Sequence, residues 1–79
     1  MRLDKYLKVS RIIKRRTVAN EACDAERVVV NGKTARASYE VKIGDIIEIN
    51  LGQKTIKILV TALSEITNKE KASENFEIL

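Results

Sequence analysis

Around residue 27 the spacing of apolar residues changes period, and that change limits the fold more than any other feature of the chain. Before it, Leu3, Tyr6 and Leu7 stand at i, i+3 and i+4, the spacing of one helical face over about residues 3–10. Val18, Ala19, Ala22 and Cys23 make the inner stripe of a second helix over about 16–25, with Glu21 and Asp24 facing outward. Ile12 and Ile13, in the connection, are available to plug the core. After it, Val28, Val29 and Val30 form a β-branched run, and Asn31-Gly32 follows. That dipeptide is the strongest two-residue hairpin signal, because both positions accept positive φ.

Lys33, Thr34 and Ala35 return as a short strand, a loop runs from Arg36 to Lys42, and Gly44-Asp45 makes a turn. Ile47, Ile49 and Leu51 alternate with Glu48 and Asn50, the pattern of a half-buried strand. Gly52-Gln53 fits a Gly-first tight turn, and Ile56, Ile58 and Val60 alternate with Lys57, Leu59 and Thr61 on the way back. The chain therefore reads as α+β, two N-terminal helices packed on a small, mostly antiparallel sheet. Residues 1–64 form the domain, and 65–79 read as a tail, either a weak short helix or disordered. Thr67 and Glu70 have the spacing of a capping box, and Ala72, Phe76 and Leu79 share one helical face. Cutting after Ser64 is expected to leave the domain folded.

At 79 residues the core is thin, because so short a chain buries only about 60–65% of its extended surface. A deep catalytic pocket has little room. With no His and one Cys, the chain has neither a Cys/His zinc site nor an internal disulfide. Cys23, lacking a His as base, reads as a small buried apolar side chain rather than a nucleophile. No catalytic residue, metal or cofactor is expected. No apolar run approaches the ~18 residues of a membrane helix, and no apolar stretch follows the charged start as in a secretion signal. An unpaired thiol suits a reducing cytoplasm, where the protein is expected to act.

Charge points to the partner. Residues 1–44 hold eleven Lys/Arg against five Asp/Glu, whereas residues 45–79 hold four against six. Seven bases fall in the first sixteen residues, Arg2, Lys5, Lys8, Arg11, Lys14, Arg15 and Arg16, against the single acid Asp4. Such crowding opposes folding by self-repulsion, and a polyanion relieves it. Lys33 and Arg36 follow the hairpin turn on the same basic half. The arginines are the more telling, since a guanidinium grips phosphate through two parallel hydrogen bonds and stacks on unpaired bases. Asp4 cannot favour phosphate; it reads as a first-turn dipole partner or the orienter of a nearby base. Tyr6 falls on the inner stripe, and Tyr39, near Arg36, reads as partly packed.

The order Arg2-Leu3-Asp4-Lys5-x-Leu7, Arg16-Thr17-x-Ala19, Val28-x-Val30-Asn31-Gly32-Lys33 and Val41-x-x-Gly44-Asp45 closely resembles the ribosomal-protein S4-type RNA-binding domain, with its alpha-L-like fold, over about residues 1–50. The stretch from Arg2 to Arg16 is most similar to the stand-alone bacterial members, the fifteen-kilodalton heat-shock group and the ribosome-associated quality-control group. The resemblance implies that both helices present bases to RNA while the sheet supports them, with Arg2, Lys5, Arg11 and Arg16 at RNA-facing positions and Arg15 and Lys33 beside them. It also implies the partners: large-subunit ribosomal RNA, peptidyl-transfer RNA on stalled large subunits, and a quality-control elongation factor that extends the stalled chain. No membrane, no chemistry and a monomer are expected. Other readings stay open, an accessory module of an RNA-modifying enzyme or a basic protein-interaction module.

Two departures from the family pattern bear on structure. Relatives often have Gly where this chain has Glu26, so the second helix is expected to end differently. Many begin that helix with a Ser cap where this chain has Arg15, leaving the first amides without their usual acceptor.

Overall fold

The computed structural model describes residues 1–65 and 73–79. Two helices, α1 (Leu3–Val9) and α2 (Arg16–Asp24), precede the strands β1 (Val28–Val30), β2 (Lys33–Thr34), β3 (Ile46–Asn50), β4 (Thr55–Val60) and β5 (Phe76–Ile78). The strands form one sheet in the order β2-β1-β3-β4-β5 with every pairing antiparallel. The expected α+β architecture is present.

One face of the sheet carries the core. Val28, Val30, Ile47, Ile49, Ile58 and Val60 alternate inward along their strands. They pack in one cluster with Leu3, Tyr6 and Leu7 of α1 and Ala19 and Cys23 of α2, and Ile13 plugs it from the connection. Asn31 and Gly32 adopt φ of 51° and 84°, the pair of positive values that a type I′ hairpin turn requires.

Both helices stop in the same way. After α2, the amide of Arg27 donates to the Ala22 carbonyl at 2.9 Å and that of Glu26 to the Cys23 carbonyl at 3.0 Å. This is the Schellman pattern, with Glu26 at φ 60° as its left-handed residue. The expectation that Glu26 would change the helix end is therefore corrected: the backbone bonds hold the usual left-handed stop despite the side chain. After α1, Ile12 and Arg11 donate to Leu7 and Lys8 in the same arrangement, with Arg11 at φ 59°.

The C-terminal reading needs a larger correction. Phe76–Ile78 is not helical but the outermost strand, paired in register Val60↔Phe76 and Ile58↔Ile78, and a single 3-10 turn, Ser73–Asn75, leads into it. A helix there would leave the free edge of β4 unpaired. Thr67, Glu70 and Ala72 lie outside the described residues. Asn75 is wholly buried. Its carbonyl accepts from the Tyr6 hydroxyl at 2.6 Å and from the Thr61 amide at 3.0 Å. Its side chain exchanges hydrogen bonds with both backbone groups of Ser64 and donates to Ser10 Oγ at 3.4 Å. The segment is thus tied to α1 as well as to the sheet.

Candidate nucleic-acid interface

The basic residues singled out in the sequence occupy three places. The first is built on Asp4. This side chain sits in the first turn of α1, where packing against α2 brings Arg16 across from it, and the residue is only 2% exposed. Arg2, extended just before α1, approaches Asp4 through Nε at 3.3 Å, and Arg16, the first residue of α2, does the same at 3.3 Å. Asn20 donates to Asp4 Oδ2 at 3.4 Å and the Lys5 amide to Oδ1 at 2.8 Å. Burial pushes the Asp4 carboxyl up, but hydrogen bonds from Arg16, Asn20 and the Lys5 amide, with the Arg16 charge, outweigh it and hold the group below its usual range. The result is two arginine side chains, 48% and 46% exposed, with both guanidinium groups oriented by one buried carboxylate. Asp4 is thus the orienter of neighbouring bases.

α2 begins without a side-chain cap, as the Arg15 substitution for a capping residue suggests. Its first amides and the Arg15 and Arg16 side chains share one end of the helix. α1 is capped by backbone instead: the Leu3 and Asp4 amides donate to the carbonyls of Tyr39 and Ala37 at 2.8 and 3.2 Å. Those bonds draw the loop carrying Arg36 to the start of α1.

The second place lies at the far end of α1, where Lys8, Arg11 and Lys14 line a surface hollow of about 480 Å³ with Val9 and Glu65. Lys5 ion-pairs with Glu65 at 2.8 Å, and that contact, chiefly its hydrogen bond, lowers the Glu65 pKa. The third place is the hairpin, where Lys33 and Arg36 line a hollow of about 590 Å³ together with Asn31 and Tyr39. Here Asp45 is the anchor. It accepts from Tyr39 Oη at 2.8 Å, Asn31 Nδ2 at 3.0 Å and the Lys42 amide at 2.9 Å. The hydrogen bond to Asp45 raises the Tyr39 phenol pKa and fixes the ring in the partly packed role expected of it. Cys23 is buried, and burial pushes its thiol up to about 11, the behaviour of an inert core thiol.

Sequence reasoning missed Asn20 and Asn75. Asn20 stands at i+4 from Arg16 on α2, so helical spacing could have flagged it as a partner of the same cluster. No helix among the described residues is long and apolar enough to cross a membrane.

Comparison with known proteins gives the family. The S4 domain family model matches residues 1–47, and the chain belongs to that family. The RQC P-site tRNA stabilizing factor of Bacillus subtilis strain 168 is 49% identical over 79 residues, which span all of this chain and 92% of that protein. The protein of the same description from Streptococcus pneumoniae is 51% identical over 79 residues, covering 90% of it. Among solved structures, trimeric heat shock protein 15 of Vibrio cholerae superimposes with a TM-score of 0.93 at 28% identity, over 100% of this chain and 81% of that one.

Proposed function

We propose that this protein is a non-catalytic RNA clamp of ribosome-associated quality control. It docks on large-subunit ribosomal RNA and steadies the peptidyl-transfer RNA of a stalled large subunit while an elongation factor extends the nascent chain. The observation that carries the reading is the Asp4 cluster, in which one buried carboxylate orients Arg2 and Arg16 beside the uncapped start of α2. A phosphate placed there meets two guanidinium forks and the amides of a helix N-terminus together. Similarity to the tRNA stabilizing factors over the whole chain supports the same role.

The wider contact set comprises Lys5, Lys8, Arg11, Lys14, Arg15, Lys33 and Arg36 around Arg2 and Arg16. One copy of the chain supplies the whole Asp4 cluster, which supports action as a monomer; the protein acts in the cytoplasm. Titrating the protein against transfer RNA and a large-subunit RNA fragment at several salt concentrations tests the reading. Each phosphate neutralised contributes a slope of roughly −0.7 to −0.9 in log–log form. A response flat in salt, or binding that survives nuclease, would instead indicate a protein partner.

A further inference from the structure

The hollow at the far end of α1 already holds an anion. Among the described residues Glu65 is the only acid that lines it, beside the bases Lys8, Arg11 and Lys14. Its Oε1 takes the Lys5 ammonium at 2.8 Å, whereas Lys8, Arg11 and Lys14 make no ion pair among the described residues. Four like charges so close together repel one another, and a carboxylate there relieves the free protein. The buried core fixes where that carboxylate stands. Asn75, wholly buried, accepts from the Ser64 amide on Oδ1 at 3.1 Å and donates from Nδ2 to the Ser64 carbonyl at 3.0 Å. Asn75 is in turn bonded to Tyr6 and Ser10, so the backbone entering Glu65 is pinned to the helix that carries Lys5 and Lys8. Asp4 and Glu65 then differ in how firmly they are held. Asp4 is 3% exposed and accepts from four partners, so it stays in place and aims its arginines. Glu65 is 59% exposed and pairs with one lysine, and so exposed an ion pair is readily exchanged.

We propose that Glu65 is an internal competitor of the RNA backbone: its carboxylate occupies the phosphate position at Lys5, and RNA binds there by displacing it. A phosphodiester offers the ammonium the same kind of anionic oxygen. A folded RNA also brings phosphates to Lys8, Arg11 and Lys14, which Glu65 with its single charge cannot match. Every polyanion must break the same ion pair, but only one that engages the neighbouring bases as well recovers the loss. The carboxylate thereby selects against sparse or isolated anions, a repulsive element that sharpens specificity. The inference rests on the RNA-clamp reading and adds a built-in threshold to it.

The test titrates the full chain against labelled transfer RNA at low ionic strength, comparing Glu65→Gln with Glu48→Gln. The second variant removes the same charge from the far face of the sheet, where Glu48 pairs with Lys57, and so controls for net charge. Glu65→Gln should bind about two- to fivefold tighter than Glu48→Gln, the equivalent of one exposed ion pair that no longer has to be broken. In a Lys5→Ala background the same replacement should gain nothing beyond the control, because the pair it spares is already absent. Glu65→Gln binding no tighter than Glu48→Gln overturns the competitor and leaves the contact a tie between α1 and the C-terminal segment. A gain kept in full without Lys5 overturns it too, since that gain comes from charge near the site rather than from competition for the lysine. Both results leave the phosphate clamp standing. Failure of wild type and every variant to bind transfer RNA at any salt overturns the clamp reading along with it.

Discussion

Replacing Asp4 with Asn changes one carboxylate oxygen to an amide NH2 group and leaves the shape of the site unchanged. The wild-type carboxylate accepts from Arg2, Arg16, Asn20 and the Lys5 amide. In the variant the oxygen can keep the Lys5 amide, so the new NH2 group faces the two guanidinium donors and has nothing to accept it unless the Asn20 carboxamide turns over. The arginine side chains are about half exposed, so each lost ion pair is worth only about 0.2–1 kcal/mol, whereas a buried donor without a partner costs about 1–3 kcal/mol. Together these give a loss of roughly 2–4 kcal/mol. For a domain of this size that lowers Tm by roughly 10–20 °C. RNA affinity should fall about tenfold beyond any effect of unfolding, since both arginines lose their orientation.

The pH dependence follows from the lowered Asp4 pKa. A carboxylate bound more weakly to its proton when folded contributes stability that is complete above about pH 4, the unfolded value. That contribution is lost as pH falls through the lower folded value, so the Tm gap between wild type and Asp4→Asn should close towards acid. Circular dichroism melts at neutral and acid pH, with RNA titrations of the folded variants, measure both. A variant that melts within a few degrees of wild type at pH 7 and binds RNA within twofold would refute Asp4 as the anchor.

Four further outcomes rest on the same structure. Arg16→Ala should weaken RNA binding by ten- to a hundredfold, equivalent to about 1.5–3 kcal/mol. Lys57→Ala, removing a 51% exposed base that pairs loosely with Glu48 on the far face of the sheet, should change it little; binding curves for both variants decide. Truncation after Ser64 should cost roughly 3–5 kcal/mol, because it strips the buried hydrogen bonds of Asn75 and the packing of Phe76. Urea unfolding that shows a loss under 1 kcal/mol would return 65–79 to the status of a dispensable tail. Asn75→Ala, keeping its carbonyl, should cost about 1–3 kcal/mol by removing the side-chain hydrogen bonds to Ser64 and Ser10 from a buried position, read from the shift in urea midpoint.

The helices and hairpins were legible because each is specified locally. Leu3, Tyr6 and Leu7 mark a helix face, and Asn31-Gly32 can make few turns other than the one observed. Asp4 was legible too, since a lone acid among seven bases has few other uses. The C-terminal strand was not. Ala72, Phe76 and Leu79 fall at helical spacing by coincidence, and Phe76–Ile78 is too short to show a period of its own. It is a strand because β4 offers an open edge and because Asn75 is held by Tyr6, sixty-nine residues away. Glu26 failed as a guide for a related reason: backbone bonds from two consecutive amides fix the helix end, and the side chain bears the strain.

The most direct measurement of the clamp is a titration of labelled protein against three targets: large subunits carrying P-site peptidyl-transfer RNA, vacant large subunits, and free transfer RNA. A protein that holds ribosomal RNA and transfer RNA together binds the loaded subunit at least tenfold tighter than either alone, because the second contact is made intramolecularly. Arg16→Ala removes most of that advantage. Equal affinity for loaded and vacant subunits, unchanged by Arg16→Ala, contradicts the clamp.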